Sequence, residues 1–343
     1  MNLRATFPLA VLALGSMTLA AALPARAQQD KLAQTTMKFL ALSVDARASA
    51  LGDAVTAVEG LPTSMFYNPA GMARQTESAM VGVGQVQWIA DVNHNIASAS
   101  FAPARGRFGI IGVTLQRVDY GDLQETIRAN NDQGYDDLGA FSPSAFAVGV
   151  GYARALTDRF SIGAHVKYAS LDLASPVEDR GPDGALVRGD AQESTFAFDF
   201  GMLYKTGFRS LNFAVAARNF SPEVTFVRES AQLPLTLRIG VAMNVADLTS
   251  LNPNLHALNV SVDANNSRDF QEQMKVGAEY GFMNTLFLRG GYSFPTDEQG
   301  VSLGAGVQRK VRDVGFGADY AYTDFGMFNT FGRVHRLALR FSF

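Results

Sequence analysis

The sequence contains no cysteine and, after its first residues, no apolar run long enough for a transmembrane helix. The absence of cysteine excludes a disulfide framework and thiolate chemistry. A helical membrane protein is excluded as well, since a spanning helix needs an apolar run of roughly 18 residues. Acidic residues outnumber basic ones by 32 to 29, which argues against nucleic acid as a partner. Stability is therefore expected to come from a closed, hydrogen-bonded architecture.

The first 27 residues have the features of a secretory signal peptide. Arg4 precedes a mostly apolar stretch at 7–23, and Ala25-Arg26-Ala27 follows as a small-x-small cleavage signature. Proline and glycine interrupt the apolar stretch, so a permanent membrane anchor is the less favoured interpretation. We expect residues 1–27 to be removed and the mature chain to begin near Gln28.

The composition, with 32 Gly, 25 Phe and 10 Tyr, is typical of a β-barrel. Beyond residue 78, apolar and polar side chains alternate in segments of about ten residues, as membrane-spanning strands require. The sequence therefore predicts an all-β fold, a transmembrane antiparallel β-barrel of about 14 strands over residues 78–343. The predicted strands are 79–89, 94–102, 107–118, 143–155, 159–171, 194–205, 210–220, 233–246, 256–265, 272–281, 284–294, 300–309, 313–323 and 331–343.

Charged residues separate the two faces of these strands. Lys or Arg facing lipid near mid-bilayer costs about 2 to 4 kcal/mol, so charges should face the lumen. In strand 194–205, for example, Asp199 lies opposite a row of phenylalanines. Such lumen charges could bind a carboxylate passenger, or pair with acids of the N-terminal region such as Asp45, Asp53 and Glu59, which we favour. The predicted lumen charges are Arg218, Arg238, Lys275, Glu279, Arg289, Arg336 and Arg340.

The chain ends on an amphipathic strand with a C-terminal aromatic residue. Leu337, Leu339, Phe341 and Phe343 share one face, and the intervening residues share the other. This ending is similar to the terminal motif that the barrel-assembly machinery reads in bacterial outer-membrane proteins. We therefore expect Phe341 and Phe343 to form the assembly signal. The expected location is the bacterial outer membrane, with membrane lipid and the assembly machinery as partners.

Residues 28–77 do not have a strand pattern. A weak helical period covers 46–59, and Asn68-Pro69-Ala70-Gly71 is a turn signal. A barrel of fourteen strands leaves an open lumen unless something fills it. We therefore expect residues 28–77 to fold inside the barrel as a hatch.

The same region resembles a known family. Phe39-Leu40 is followed by Asp45-Ala46-Arg47, then by Leu51-Gly52 and by Asn68-Pro69-Ala70-Gly71. This series is similar to the opening of the PorV/PorQ family, which is related to the FadL long-chain fatty-acid transporters. The resemblance implies a fourteen-stranded barrel with an N-terminal hatch. In the PorV branch it implies a role in type IX secretion, holding the C-terminal signal domain of exported proteins at the cell surface.

Two functions compete, and a purely structural barrel is a third interpretation. A cargo-binding secretion component would use the long connections 119–142 and 172–193, whereas a FadL-like channel for long-chain fatty acids or other hydrophobic molecules would need an apolar pocket near the hatch. The four histidines lie in different segments without ligand spacing, so neither a metal nor a cofactor is expected. No Ser/His/acid set shares a predicted location, and we expect the protein not to be an enzyme.

Overall fold

The computed structural model describes residues 35–175, 177–180, 185–189, 191–226, 229–296, 300–325 and 333–343. The predicted signal peptide lies outside these residues. Fourteen antiparallel strands close into one barrel. In order around the barrel they are β1 (Ala79–Gln87), β2 (Asn93–Phe101), β3 (Ile110–Asp119), β6 (Ser144–Ala155), β7 (Phe160–Asp172), β10 (Gln192–Lys205), β11 (Asn212–Phe220), β14 (Thr236–Asn244), β15 (His256–Ser267), β16 (Gln273–Phe282), β17 (Leu286–Phe294), β18 (Val301–Val311), β19 (Val314–Thr323) and β20 (Val334–Ser342).

The predicted barrel is confirmed, and the strand ends differ from the predicted ones by at most three residues. Three connections that were expected to be irregular contain hairpins of their own. These two-stranded sheets are β4 (Leu123–Arg128) with β5 (Tyr135–Phe141), β8 (Val177–Arg180) with β9 (Leu186–Arg188), and β12 (Val224–Phe226) with β13 (Glu229–Ala231).

The last strand closes the barrel against the first. Cα pairs between β1 and β20 run from Met80 with Ser342 to Gln87 with His335. Beyond that ladder, the Ser78 amide donates to the carbonyl of Phe343 at 2.6 Å, and the Phe343 amide donates to Ala79 at 2.9 Å. The C-terminal residue is therefore hydrogen-bonded into the closing seam on both sides. A closed ladder of this kind leaves no free edge in the membrane.

The strands alternate between a lipid face and a lumen face. On β14 the outward Leu237 and Ile239 are exposed, while Arg238 between them is only 2% exposed. The same phase holds on β10, where Asp199 is fully buried between the outward Phe198 and Phe200. An apolar exterior and a charged interior are the pattern of a membrane barrel, opposite to that of a soluble sandwich.

The connections divide the barrel into two ends. One end carries the short connections 102–109, 156–159, 206–211, 245–255, 283–285 and 312–313, which are placed in the periplasm because barrel turns on that side are short. We name the connections at the outer end L1 (88–92), L2 (120–143), L3 (173–191), L4 (221–235), L5 (268–272), L6 (295–300) and L7 (324–333). None of the helices in the described part of the chain has the length and hydropathy needed to span a bilayer.

Residues 35–78, here called the N-terminal segment, run along the inside of the barrel without joining its sheet. At the outer end the Thr36 amide donates to Gln232 in L4 at 2.9 Å, and at the periplasmic end Ser78 meets the C-terminus. The segment contains one α-helix, α1 (Ala46–Ala50), and short 3-10 turns at Lys38–Ala41, Ser64–Phe66 and Pro69–Met72. The helix ends earlier than its sequence period suggests, because Gly52 and Asp53 adopt left-handed backbone with φ of 62° and 67°.

Candidate functional site

The predicted hatch residues fall into two groups, of which the first holds the N-terminal segment together. The Asp45 carboxylate caps α1 by accepting from the Ala48 amide at 2.9 Å, and it accepts from the Thr63 hydroxyl at 2.9 Å. The Tyr67 hydroxyl oxygen accepts from the amides of Val44 and Asp45 at 3.2 and 3.0 Å. Asp45 therefore orders the segment internally instead of pairing with a lumen cation.

The second group binds the segment to the barrel wall. Asn68 Oδ1 accepts from the Ala70 amide at 3.0 Å, while its Nδ2 donates to the Met202 carbonyl of β10 at 3.2 Å. Gly163 of β7 faces this turn so closely that a Cβ there would lie 2.5 Å from the Ala70 nitrogen. The Asn-Pro-Ala-Gly element therefore fits against a strand position where only glycine leaves room.

Asp53 makes the most deeply buried attachment. Its Oδ2 lies 2.6 Å from Arg238 Nη2 and 2.9 Å from Lys275 Nζ, on β14 and β16. All three side chains are at most 10% exposed. Burial alone would raise the pKa of the Asp53 carboxyl, but the two cations hold that pKa well below its usual range. Asp53 is therefore a charged link between the segment and two strands.

Arg47 makes a second attachment through Glu279 of β16. Its Nε and Nη2 donate to the two oxygens of Glu279, both at 2.8 Å, in a bidentate pair. Arg289 of β17 donates to the same carboxylate at 2.6 Å and to Asp319 at 2.7 Å, and Arg340 lies 3.2 Å from Asp319. One continuous ion-pair network therefore joins α1 to four strands.

A third buried cluster was not anticipated from the sequence. His165 Nδ1 and Lys167 Nζ lie 3.1 and 2.8 Å from Asp199 Oδ2, and Thr114 Oγ1 lies 2.9 Å from His165 Nε2. The four side chains come from β3, β7 and β10 and are at most 5% exposed. The alternation of charged and apolar residues signals that they face inward. Their mutual contact depends on strand register, which the sequence does not specify.

The two remaining predicted arginines donate to backbone carbonyls. Arg218 Nη2 reaches the Leu40 carbonyl at 3.1 Å, and Arg336 Nε reaches the Ser43 carbonyl at 3.0 Å. All seven predicted lumen charges thus face inward and have a protein partner. Six of them bind the N-terminal segment or its network directly, and Arg340 does so through Asp319. The arrangement is suited to retaining the segment in the lumen.

Apolar contacts complete the attachment. Phe39 and Leu40 belong to a buried cluster with Val118, Leu171 and Leu233, at the outer end of the lumen. Ile96 on β2 packs with residues of the segment, including Val44, Leu61 and Phe66. Ile110 on β3 likewise lies with Met65 and Met72. The apolar lumen side of the first strands is therefore covered by the N-terminal segment.

A cavity of about 280 Å³ lies beside the segment at the periplasmic end. Its lining mixes charged and apolar side chains, among them Glu59, Arg74, Lys205, Met72 and Met80. Lys205 Nζ and Glu59 Oε2 form an ion pair at 3.0 Å that is partly open to solvent. This is the third hatch acid considered above, and its partner is a strand cation that was not among the predicted lumen charges.

The outer end carries two linked hairpins. β4 and β5 form the hairpin of L2, and β8 and β9 form that of L3. Arg188 of L3 donates from Nη1 and Nη2 to the two oxygens of Glu125 in L2, at 3.2 and 2.9 Å. Arg188 also donates to the Ser175 carbonyl at 2.7 Å. The two long connections are therefore joined into one ordered surface above the membrane.

The sequence matches a known protein family over more than half its length. A family model described as type IX secretion system protein PorV matches residues 25–209. A comparison with curated protein sequences finds no significant match.

Solved structures with the same fold include three outer-membrane barrels. The toluene transporter TbuX of Ralstonia pickettii is 13% identical with a TM-score of 0.56, covering 87% of this chain and 97% of its own. The toluene transporter TodX of Pseudomonas putida is 11% identical with a TM-score of 0.58, covering 92% and 99%. A FadL homologue of Pseudomonas aeruginosa is 12% identical with a TM-score of 0.51, covering 88% and 98%. At these identities the similarity establishes the fold alone.

Proposed function

Because the chain belongs to the PorV family of type IX secretion system proteins, we propose that this outer-membrane barrel binds exported cargo proteins at the cell surface. The binding surface is formed by L2 and L3. The observation that carries the proposal is the bidentate Arg188–Glu125 ion pair, which joins the two hairpins into one face. Neither the family description nor the names of the structural neighbours describe an enzyme.

The size of L2 and L3 supports protein binding. L2 has 24 residues and L3 has 19, whereas the other outer connections have at most 15. A standard protein interface buries roughly 800 Å² per partner and uses about 20 to 30 residues a side. The two long connections together are the part of the outer face that reaches this size.

The lumen supports the same choice, with the N-terminal segment acting as a plug. A carboxylate passenger would need free cations, but Arg238 and Lys275 are engaged by Asp53, and Arg289 by Glu279 and Asp319. Replacing such a carboxylate by a ligand would first leave buried charges unpaired, which is costly. The internal ion pairs therefore favour a closed lumen over a carboxylate-binding one.

The alternative function is a channel for hydrophobic molecules. It is supported by the fold shared with proteins named as toluene transporters. Against it, the apolar lumen side chains of the first strands pack on the N-terminal segment instead of lining an open pocket. A channel would require displacement of that segment, and uptake would then depend on the plug and not on L2 and L3.

The test is loop trimming in cells that export cargo. Shortening 130–137 together with 178–190 should abolish co-purification of cargo with the barrel, while heat modifiability on cold detergent gels stays unchanged. A matched control shortens the periplasmic connection at 249–254 and should leave cargo binding intact. Retained cargo binding after loss of both hairpins, accompanied by measurable uptake of a hydrophobic compound, would support the channel instead.

A further inference from the structure

The hairpin of β4 and β5 has two unpaired edges. The two strands form a sheet of their own, with Cα pairs from Leu123 with Phe141 to Arg128 with Tyr135. In the described part of the chain, no backbone hydrogen bond joins either strand to the barrel or to the L3 hairpin. The Arg188–Glu125 link is made by side chains only. A strand with a single neighbour exposes a row of N–H and C=O groups that can pair with another chain.

The charge of this hairpin selects the kind of chain that pairs with it. Residues 123–141 contain four acids and one base, giving a net charge of −3. The whole outer face has the same sign, because L1 to L7 contain 17 acids and 6 bases, a net charge of −11. The short periplasmic connections contain 3 acids and 5 bases, a net charge of +2. Acidity is therefore concentrated at the outer end.

The exposed face of the hairpin is polar and accessible. Thr126 and Asp137 are cross-strand partners on that face, as are Arg128 and Tyr135, and all four are exposed. The opposite face turns toward L3, where Glu125 holds the Arg188 guanidinium. This contact shows the chemistry that the hairpin accepts, a cation presented beside a β-strand.

We propose that the β4–β5 hairpin is a strand-addition site for an extended, basic segment of a cargo protein. The inference rests on the proposed function and names the chemistry of its binding step. Main-chain hydrogen bonds to the free edge supply affinity, and the acidic side chains select a partner with Lys or Arg at alternating positions. Binding should weaken as salt rises, since charges at an exposed rim are screened.

The test uses purified full-length barrel in detergent and a fluorescent peptide of alternating Lys and Thr. Fluorescence anisotropy should report binding that falls at least about tenfold when alternate peptide nitrogens are methylated, because methylation removes edge hydrogen bonds and keeps the charge. A Glu-Thr peptide should not bind. Replacing Asp132, Asp136 and Asp137 by Asn should weaken binding of the Lys-Thr peptide, whereas the equal charge change D91N, E223Q and E272Q should not.

The methylated peptide keeps the test independent of hairpin folding, because it is used with the unaltered protein. Equal affinity for the methylated and unmethylated peptides overturns strand addition, and equal effects of the two triple variants overturn the hairpin as the site. In either case, cargo co-purification that still requires L2 and L3 leaves the proposed function standing. Loss of that requirement removes the proposed function itself.

Discussion

Replacing Asp53 by Asn should release the N-terminal segment from the barrel wall. The change is nearly isosteric, but it removes the carboxylate shared by Arg238 Nη2 at 2.6 Å and Lys275 Nζ at 2.9 Å. Removing one partner of a buried ion pair costs about 3 to 5 kcal/mol, because the other charge stays buried without compensation. With about 1.4 kcal/mol for each factor of ten, the ratio of docked to undocked segment should fall by roughly 100-fold or more.

Glu59 provides a matched control for this change. It is also an acid of the N-terminal segment paired with a strand cation, Lys205, at 3.0 Å, but the two side chains are 26% and 39% exposed. Ion pairs open to solvent contribute about 0.2 to 1 kcal/mol, so Glu59→Gln should shift docking by less than about tenfold.

Planar-bilayer conductance and limited trypsin digestion measure the two variants. Asp53→Asn should raise the frequency of large open events and expose Arg47 to cleavage, while the barrel remains heat-modifiable. Glu59→Gln should behave nearly like the unaltered protein. The reasoning about burial is wrong if the two variants have the same conductance, or if Asp53→Asn leaves both conductance and cleavage unchanged.

Three further outcomes are expected. Lowering the pH should leave docking intact down to about pH 4, because a carboxyl with a lowered pKa contributes stability above its unfolded value and loses it only as pH falls toward the folded one; conductance that rises between pH 7 and 5 would contradict this. Deleting Phe343 should slow membrane insertion more than it lowers final stability, since its backbone closes the seam at only three hydrogen bonds; equal insertion rates would refute the assembly signal. Gly163→Val should loosen the Asn-Pro-Ala-Gly turn and raise conductance, whereas Gly290→Val, whose Cβ would meet nothing closer than 3.7 Å, should not.

Period-two alternation was sufficient to predict the barrel and its strand boundaries, because each strand meets lipid on one side and polar lumen on the other. The inward direction of Arg238 and Lys275 followed from the same alternation. Their shared contact with Asp53 did not, since it depends on how a non-repetitive segment threads through the lumen. The hairpins in L2 and L3 were also missed. Their strands are short and polar on both faces, so burial leaves no periodic trace in the sequence.

The most direct test of cargo binding at the outer hairpins is photo-cross-linking in living cells. A photoreactive phenylalanine at Tyr135, an exposed residue of β5, should form an adduct with an exported cargo protein. The same residue placed at Tyr152, which is similarly exposed on the lipid face of β6, is the matched control and should form none. Adducts at Tyr135 alone support binding by the hairpin. An absence of cargo adducts at Tyr135 in cells that are exporting cargo, or equal adducts at both positions, would contradict it.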